Sequence, residues 1–305
     1  MRKRICCWLC ALIIVGWLLR PTGVTALTSL EVERPCSLTL SYTQKGIGFG
    51  NLEVHLYRVA EAFADGSFEL IAPFSEYPVN IHGITSQTEW KSVAATLSAY
   101  IAANQVEPTS TQKTDADGTA AFTGLQTGLY LVDGAVAEHE SGTYVFDHFM
   151  VYLPTPQEDG SYRYDVEAKP KCSSYTPATE YKVVKLWKDS GYADGRPASV
   201  TVDILKDGAV QQTQILNAEN NWSYTWQVPD GKGIWTVVEK DVPDDYAVTI
   251  QFHETTFVIT NTHTAPGDIP QTGDTASLWL YTVCLCLSGL MLLVLSLSGK
   301  RGSKP

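Results

Sequence analysis

Lys182-Val183-Val184-Lys185-Leu186-Trp187-Lys188 reads as one β-strand, and its alternation decides the fold. Residues i and i+2 of a strand share a face, so Val183, Lys185 and Trp187 lie together. Two further segments repeat the pattern: Trp235, Val237 and Glu239 share a face, and so do Phe257, Ile259 and Asn261. Each set places one polar residue in line with apolar residues expected in a core. A buried lysine, glutamate or asparagine is individually costly; three that converge can satisfy one another. They also allow a specific chemistry. A lysine amine can attack an asparagine carboxamide and expel ammonia, leaving an amide crosslink. Burial lowers a lysine pKa and raises that of a glutamate. The amine is then neutral and nucleophilic, while the protonated acid polarises the amide and shuttles protons. The residues also allow a plainer reading, a solvated lysine and a strand-end asparagine.

Outward from these segments the chain is a series of short alternating runs separated by Gly, Asp, Asn and Pro, the pattern of an all-β protein built from antiparallel sandwiches. Between 181 and 262 strands are expected at Lys182–Lys188, Ser199–Leu205, Gln211–Asn217, Ser223–Gln227, Trp235–Glu239, Ala247–Ile250 and Thr256–Asn261. A linker-like stretch, residues 173–180, precedes them. Before it, strands are expected at Ser37–Tyr42, Leu52–Val59, Ala120–Phe122, Gly128–Val132, His148–Leu153 and Tyr162–Ala168. One segment breaks the β pattern. In Thr88–Asn104, Trp90, Val93, Ala94, Leu97, Tyr100 and Ile101 follow helical spacing. This predicts a helix inserted between strands and packed on one sheet, with Thr88 as its N-cap. Asp115-Ala116-Asp117-Gly118 lacks the later carboxylates of a calcium loop and reads as a tight turn. Asn221-Trp222-Ser223 is a glycosylation sequon by pattern and carries little weight.

The ends of the chain carry export signals. Arg2, Lys3 and Arg4 precede the apolar run Ile5–Leu19, and Val24-Thr25-Ala26 offers small residues to a signal peptidase. This is the order of a secretory signal peptide, here residues 1–26. The alternative is a retained anchor, but the run is short for a bilayer, which needs roughly 20 residues. At the other end Ile269-Pro270-Gln271-Thr272-Gly273 is followed by the apolar segment 278–298, long enough to span. Lys300, Arg301 and Lys304 then hold the tail on the cytoplasmic side.

Removing residues 1–26 and 273–305 takes seven basic and one acidic residue from totals of 22 and 33. The mature part keeps 15 and 32, a net charge of −17. Such a surface argues against nucleic acid or an anionic membrane face as a partner. Of seven cysteines only Cys36 and Cys172 remain after processing, in an oxidising compartment. No metal-ligand spacing occurs, and no cofactor is implied. His55, His82, His139, His148, His253 and His263 show no motif with a nucleophile, so the reading is non-enzymatic.

Three resemblances give these features meaning. Ile269-Pro270-Gln271-Thr272-Gly273, with the span and basic tail, resembles the sorting signal of sortase substrates, usually LPxTG. That implies sortase attack at the Thr272 carbonyl, release of Gly273 onward, and transfer of the acyl group to an amine of peptidoglycan or of another pilin subunit. Tyr181–Thr262 resembles a collagen-adhesin B-type (Cna-B) domain. The matching pieces are Lys185-Leu186-Trp187, Arg196-Pro197, Val200-Thr201-Val202, Asn221-Trp222, Trp235-Thr236-Val237-Val238-Glu239, Pro243, Tyr246 and Ile259-Thr260-Asn261-Thr262. The resemblance implies an isopeptide bond between Lys185 and Asn261, with Glu239 as the assisting acid. Asp203 is the second choice, because its parity opposes the core-facing Val200, Val202 and Ile204.

The region 27–172 resembles the N-terminal domain of Gram-positive pilins through Leu56-Tyr57-Arg58-Val59, Asp117-Gly118, Phe122, Gly124-Leu125, Gly128–Val132 and Tyr162–Lys171. The last stretch is similar to the pilin motif WxxxVxVYPK, with Tyr162 for Trp, Ala168 for the second Val and Lys169 for Tyr. Lys171 then stands where a shaft pilin receives the next subunit, and reads equally as an ordinary strand-end lysine. No isopeptide pair is found in this region. Cys36 and Cys172, at the outer ends of its first and last strands, are instead expected to form a disulfide.

The expected organisation is signal peptide 1–26, pilin-like immunoglobulin-like sandwich 27–172, linker 173–180, Cna-B sandwich 181–262, linker 263–268 and sorting signal 269–305. The expected function is that of a wall-anchored minor or basal pilin. A stand-alone surface adhesin for a host or extracellular-matrix ligand is the alternative.

Overall fold

The run Gly128-Leu129-Tyr130-Leu131-Val132 is apolar on both faces, so both must be covered. The computed structural model, which describes residues 30–264 except 176, 190 and 230–232, shows what covers them. The first half contains β1 (Cys36–Ser41), β2 (Thr43–Gln44), β3 (Ile47–Gly48), β4 (Glu53–Ala62), β5 (Phe68–Leu70), helix α1 (Gln87–Asn104), β6 (Ser110–Lys113), β7 (Thr119–Leu125) and β8 (Gly128–Val132). It continues through β9 (Ala135–His139), β10 (Gly142–Phe146), β11 (Phe149–Leu153), β12 (Thr155–Pro156), β13 (Tyr162–Arg163), β14 (Asp165–Ala168) and β15 (Cys172–Ser174). The sheet β14-β1-β7 faces β11-β8-β4-β5, with β6 also on β4, and β15-β10-β9 forms a third small sheet. Tyr130 and Val132 enter the core with Leu38, Leu40, Leu56 and Phe122. Leu129 and Leu131 join a second buried cluster with Val93, Leu97 and Ile101 of α1. The helix thus covers the outer face of a strand whose inner face fills the sandwich.

The helix is capped two residues before the expected position. Ser86, not Thr88, is the N-cap: its hydroxyl accepts from the Glu89 amide, and the Glu89 carboxylate accepts from the Ser86 amide. At 115–118, Asp115 Oδ1 accepts from the amides of Asp117 and Thr119, and Gly118 has φ of 83°. A Cβ on Gly118 would lie 2.4 Å from the Tyr42 carbonyl oxygen, so this turn requires glycine.

The expected Cys36–Cys172 disulfide is not formed; both are free thiols, Cys36 buried. The reason is strand direction. β1 and β14 pair in parallel, with Ser37 opposite Asp165 and Leu40 opposite Ala168. Cys36 therefore lies at the entry end of this pair. Cys172 lies beyond the exit end, where its carbonyl accepts from the Gln44 side chain. At about 3.3 Å per residue, the length of β1 separates them by more than the roughly 7 Å that a disulfide can bridge.

The second half contains β16 (Glu180–Lys188), β17 (Ser199–Lys206), β18 (Ala209–Asn217), β19 (Ser223–Gln227), β20 (Trp235–Lys240), β21 (Tyr246–His253) and β22 (Thr256–His263). Its two sheets are β19-β16-β22-β21 and β18-β17-β20. Val183, Phe257 and Ile259 from the first meet Val202, Ile204 and Val237 from the second in one buried cluster, which also includes the helix residues. The helix was expected on one sheet only; it is buried against both halves. Among the described residues the fold is all-β with this single α-helix, and no helix is long and apolar enough to cross a membrane. The signal peptide 1–26, the motif 269–273 and the segment 278–298 lie outside the described residues.

Candidate functional site

β16 and β22 are neighbours running in parallel, Lys185 opposite Ile259 and Trp187 opposite Asn261. Both Lys185 and Asn261 point from this sheet into the core. Glu239 reaches the same point from β20 in the other sheet. All three are buried, with 3%, 1% and 0% exposure for Lys185, Glu239 and Asn261. The Glu239 carboxyl touches each of the other two. Its Oε1 accepts from Asn261 Nδ2 at 2.8 Å, and its Oε2 lies 3.7 Å from Lys185 Nζ. Lys185 Nζ also donates to the Leu186 carbonyl at 2.9 Å. The three residues that shared parity in the sequence are therefore one contact group.

The group is under-satisfied. Glu239 Oε2 and Asn261 Oδ1 are buried without a hydrogen-bond partner. An ion pair this deep, at 3.7 Å, recovers little of the cost of desolvating both charges. Burial pushes the Lys185 amine down to about 8, against the opposing pull of the Glu239 carboxylate. Burial likewise raises the Glu239 carboxyl, opposed by Lys185 and by its bond from Asn261. Both shifts favour the neutral pair, an amine and a carboxylic acid.

Two features of the site escaped the sequence reading. The Trp187 ring lies 3.9 Å from Lys185 Nζ, covering the amine. Trp187 was legible as a same-face neighbour but not as a cover. Tyr100 of α1 donates its hydroxyl to the Glu239 main-chain carbonyl at 3.1 Å; in sequence it is one apolar position of a helix. Asp203 lies elsewhere. It accepts from Thr213 Oγ1 on β18 and stands 3.6 Å from Lys240 Nζ, so it is held outside the core group. Lys171 is exposed between β14 and β15, and its carbonyl accepts from the Asp147 amide. Among the described residues no cluster of His, Cys, Asp and Glu could hold a metal ion.

One comparison with known proteins falls on the same half. Residues 181–262 match the family described as Cna protein B-type domain. A collagen adhesin of Staphylococcus aureus is 37% identical over 84 residues, which are 27% of this chain and 7% of that protein. Among solved structures, a single B repeat unit (B1) of the collagen binding surface protein of Staphylococcus aureus is 16% identical. That alignment covers 76% of this chain and 98% of that one, with a TM-score of 0.26. The full-length major pilin SpaD from Corynebacterium diphtheriae is also 16% identical, with 77% and 65% covered and a TM-score of 0.31. The buried Lys185–Glu239–Asn261 group lies within the strands of residues 181–262, the part of this chain that matches the Cna protein B-type domain family.

Proposed function

We propose that this chain is a cell-wall-anchored structural protein of the bacterial surface, a minor or basal pilin subunit, whose second sandwich closes an amide bond between Lys185 and Asn261. The observation that carries the crosslink is the contact of one buried carboxyl with both reacting groups. The neutral Lys185 amine attacks Asn261 Cγ. A C–N bond forms to Nζ, the Cγ–Nδ2 bond breaks, and Nδ2 leaves as ammonia. Glu239 takes the proton from the amine through Oε2 and delivers one to the departing nitrogen. The two ends of the carboxamide are similar in size, so a half-turn about its last torsion presents Oδ1 to the protonated acid, which then polarises the carbonyl.

Intact mass tests this directly. The mature chain, residues 27–272, should fall short of its sequence mass by one ammonia and, with both thiols free, by no pair of hydrogens. Glu239→Gln should keep the ammonia, because an amide cannot carry the proton, whereas Asp203→Asn should still lose it. A wild-type chain at full sequence mass sinks the crosslink. The rate in freshly synthesised chain should also depend on pH in a defined way. The ion pair and the neutral pair hold the same number of protons, so their ratio is independent of pH while one proton is shared. Below the raised Glu239 value a second proton charges the amine; above about 8 the last proton leaves and the acid is lost. A plateau below about pH 8 that falls on both sides is expected.

Anchoring rests on Ile269–Gly273, with a sortase transferring the Thr272 acyl group to peptidoglycan or to a pilin lysine. Lys171, exposed between two strands, is the acceptor we assign within the chain. Detergent-resistant high-mass ladders in wall extracts that disappear with Lys171→Ala support the pilin. A single anchored band in both strains supports the adhesin, whose ligand would be a host or matrix protein.

A further inference from the structure

The sandwich of 180–263 has an open side. β20 ends one of its sheets and β21 ends the other, and these two edge strands neighbour each other and the helix α1. Buried edge groups need partners, and the first half of the chain provides them. Ile250 N donates to Thr96 Oγ1 at 2.8 Å and Val248 N to the Pro78 carbonyl at 2.7 Å, both on β21. Gln251 donates its side-chain amide to Ser92 Oγ. On β20 the partner is Tyr100, whose hydroxyl donates to the Glu239 carbonyl at 3.1 Å. Ser92, Thr96 and Tyr100 recur every four residues, one face of α1. The Tyr100 ring is in turn stacked on Tyr77, with centroids 4.7 Å apart and planes 11° from parallel.

We propose that Tyr100 is a positioning residue for the Lys185–Asn261 bond: α1 closes the open side of the second sandwich, and the Tyr100 hydroxyl fixes the backbone from which the Glu239 carboxyl reaches both reacting groups. The inference rests on the crosslink proposed above. Glu239 is the one member of the group on β20, at a sheet edge, while Lys185 and Asn261 sit on two paired inner strands. An edge strand held on one side only drifts more than an inner one, and proton transfer is sensitive to fractions of an ångström. The first half of the chain is therefore part of the machinery that matures the second.

The test is the time course of ammonia loss, read by intact mass in full mature chain made by cell-free synthesis. Tyr100→Phe keeps the ring and removes one hydrogen bond, and should slow the loss about three- to tenfold while the pH limits of the plateau stay in place. Tyr77→Leu, which removes the stack beneath Tyr100, should slow it in the same direction. Thr96→Val is the control: it removes a bond from the same helix face to β21, which carries none of the three groups, and should leave the rate within about twofold. A Tyr100→Phe rate equal to wild type overturns the inference. So does an equal slowing by Thr96→Val, which would reduce Tyr100 to general docking. A wild-type chain that loses no ammonia overturns the crosslink itself and this inference with it, and is distinguished by its unchanged mass.

Discussion

Replacing Lys185 with Ala is expected to lower the unfolding temperature of the mature chain by about 10–20 °C and to restore the mass of one ammonia. The magnitude follows from loop closure. A bond from Lys185 to Asn261 ties off a loop of roughly 75 residues, for which the chain-entropy model gives about 4–5 kcal/mol. In a chain of this size each kcal/mol moves the midpoint by about 2–4 °C. Lys185→Ala also opens space beneath Trp187 and leaves Glu239 without its cation, so a second variant separates bond from packing. Asn261→Ala keeps Lys185 and Glu239 together in the core and removes the acceptor along with the one hydrogen bond it donates to Glu239. It should lose a comparable amount. Differential scanning calorimetry of the two variants checks this, and midpoints within a few degrees of wild type for both would show that no covalent tie holds the strands. The mechanical consequence has the same origin. β16 and β22 are the first and last strands of this sandwich, so with the proposed bond in place a load applied from the C-terminal side would pass through it and bypass the strands between.

The Lys185–Glu239–Asn261 contact group was legible because strand parity is strict. A period of two places Lys185, Glu239 and Asn261 on core faces and sets Asp203 opposite Val202 and Ile204, and the structure holds Asp203 with Thr213 and Lys240 accordingly. Strand direction is not written in parity. β1 and β14 would alternate identically in either orientation, and their parallel pairing is what separates Cys36 from Cys172. Local chemistry was readable but misjudged at the helix start, where Ser86 and Glu89 have the spacing of a capping box and Thr88 does not. The hairpin β9–β10 was missed because Ala135–His139 and Gly142–Phe146 mix small, polar and apolar residues without a clean alternation. Long-range docking left only an indirect trace. The buried stripe of α1 spans Ser92, Val93, Ala94, Thr96, Leu97, Ala99, Tyr100 and Ile101, wider than one contact face requires. That width, with serine, threonine and tyrosine inside it, is the signature of a helix covered on two sides.

Leu97→Ala should therefore destabilise both halves of the chain together, by about 2–5 kcal/mol. Leu97 is fully buried in a cluster that contains Leu129 and Leu131 of the first half and Val237, Val238 and Ile250 of the second. Shortening it removes transfer free energy and leaves a cavity that a helix held on both sides cannot easily collapse into. If the helix served only the first sandwich, hydrogen exchange would quicken there alone, and the β20 and β21 edge amides would keep wild-type protection. The hydrogen bonds from Ile250 to Thr96 and from Tyr100 to Glu239 cross the same junction, so a loosened helix withdraws partners from buried edge groups of the second sandwich. The expected result is faster exchange at Val248 and Ile250 in step with that of β8, and a single lowered thermal transition. The measurement is best made in an Asn261→Ala background, where no covalent tie masks the loss. Unchanged exchange at Val248 and Ile250 would mean that α1 rests against the second sandwich without supporting it.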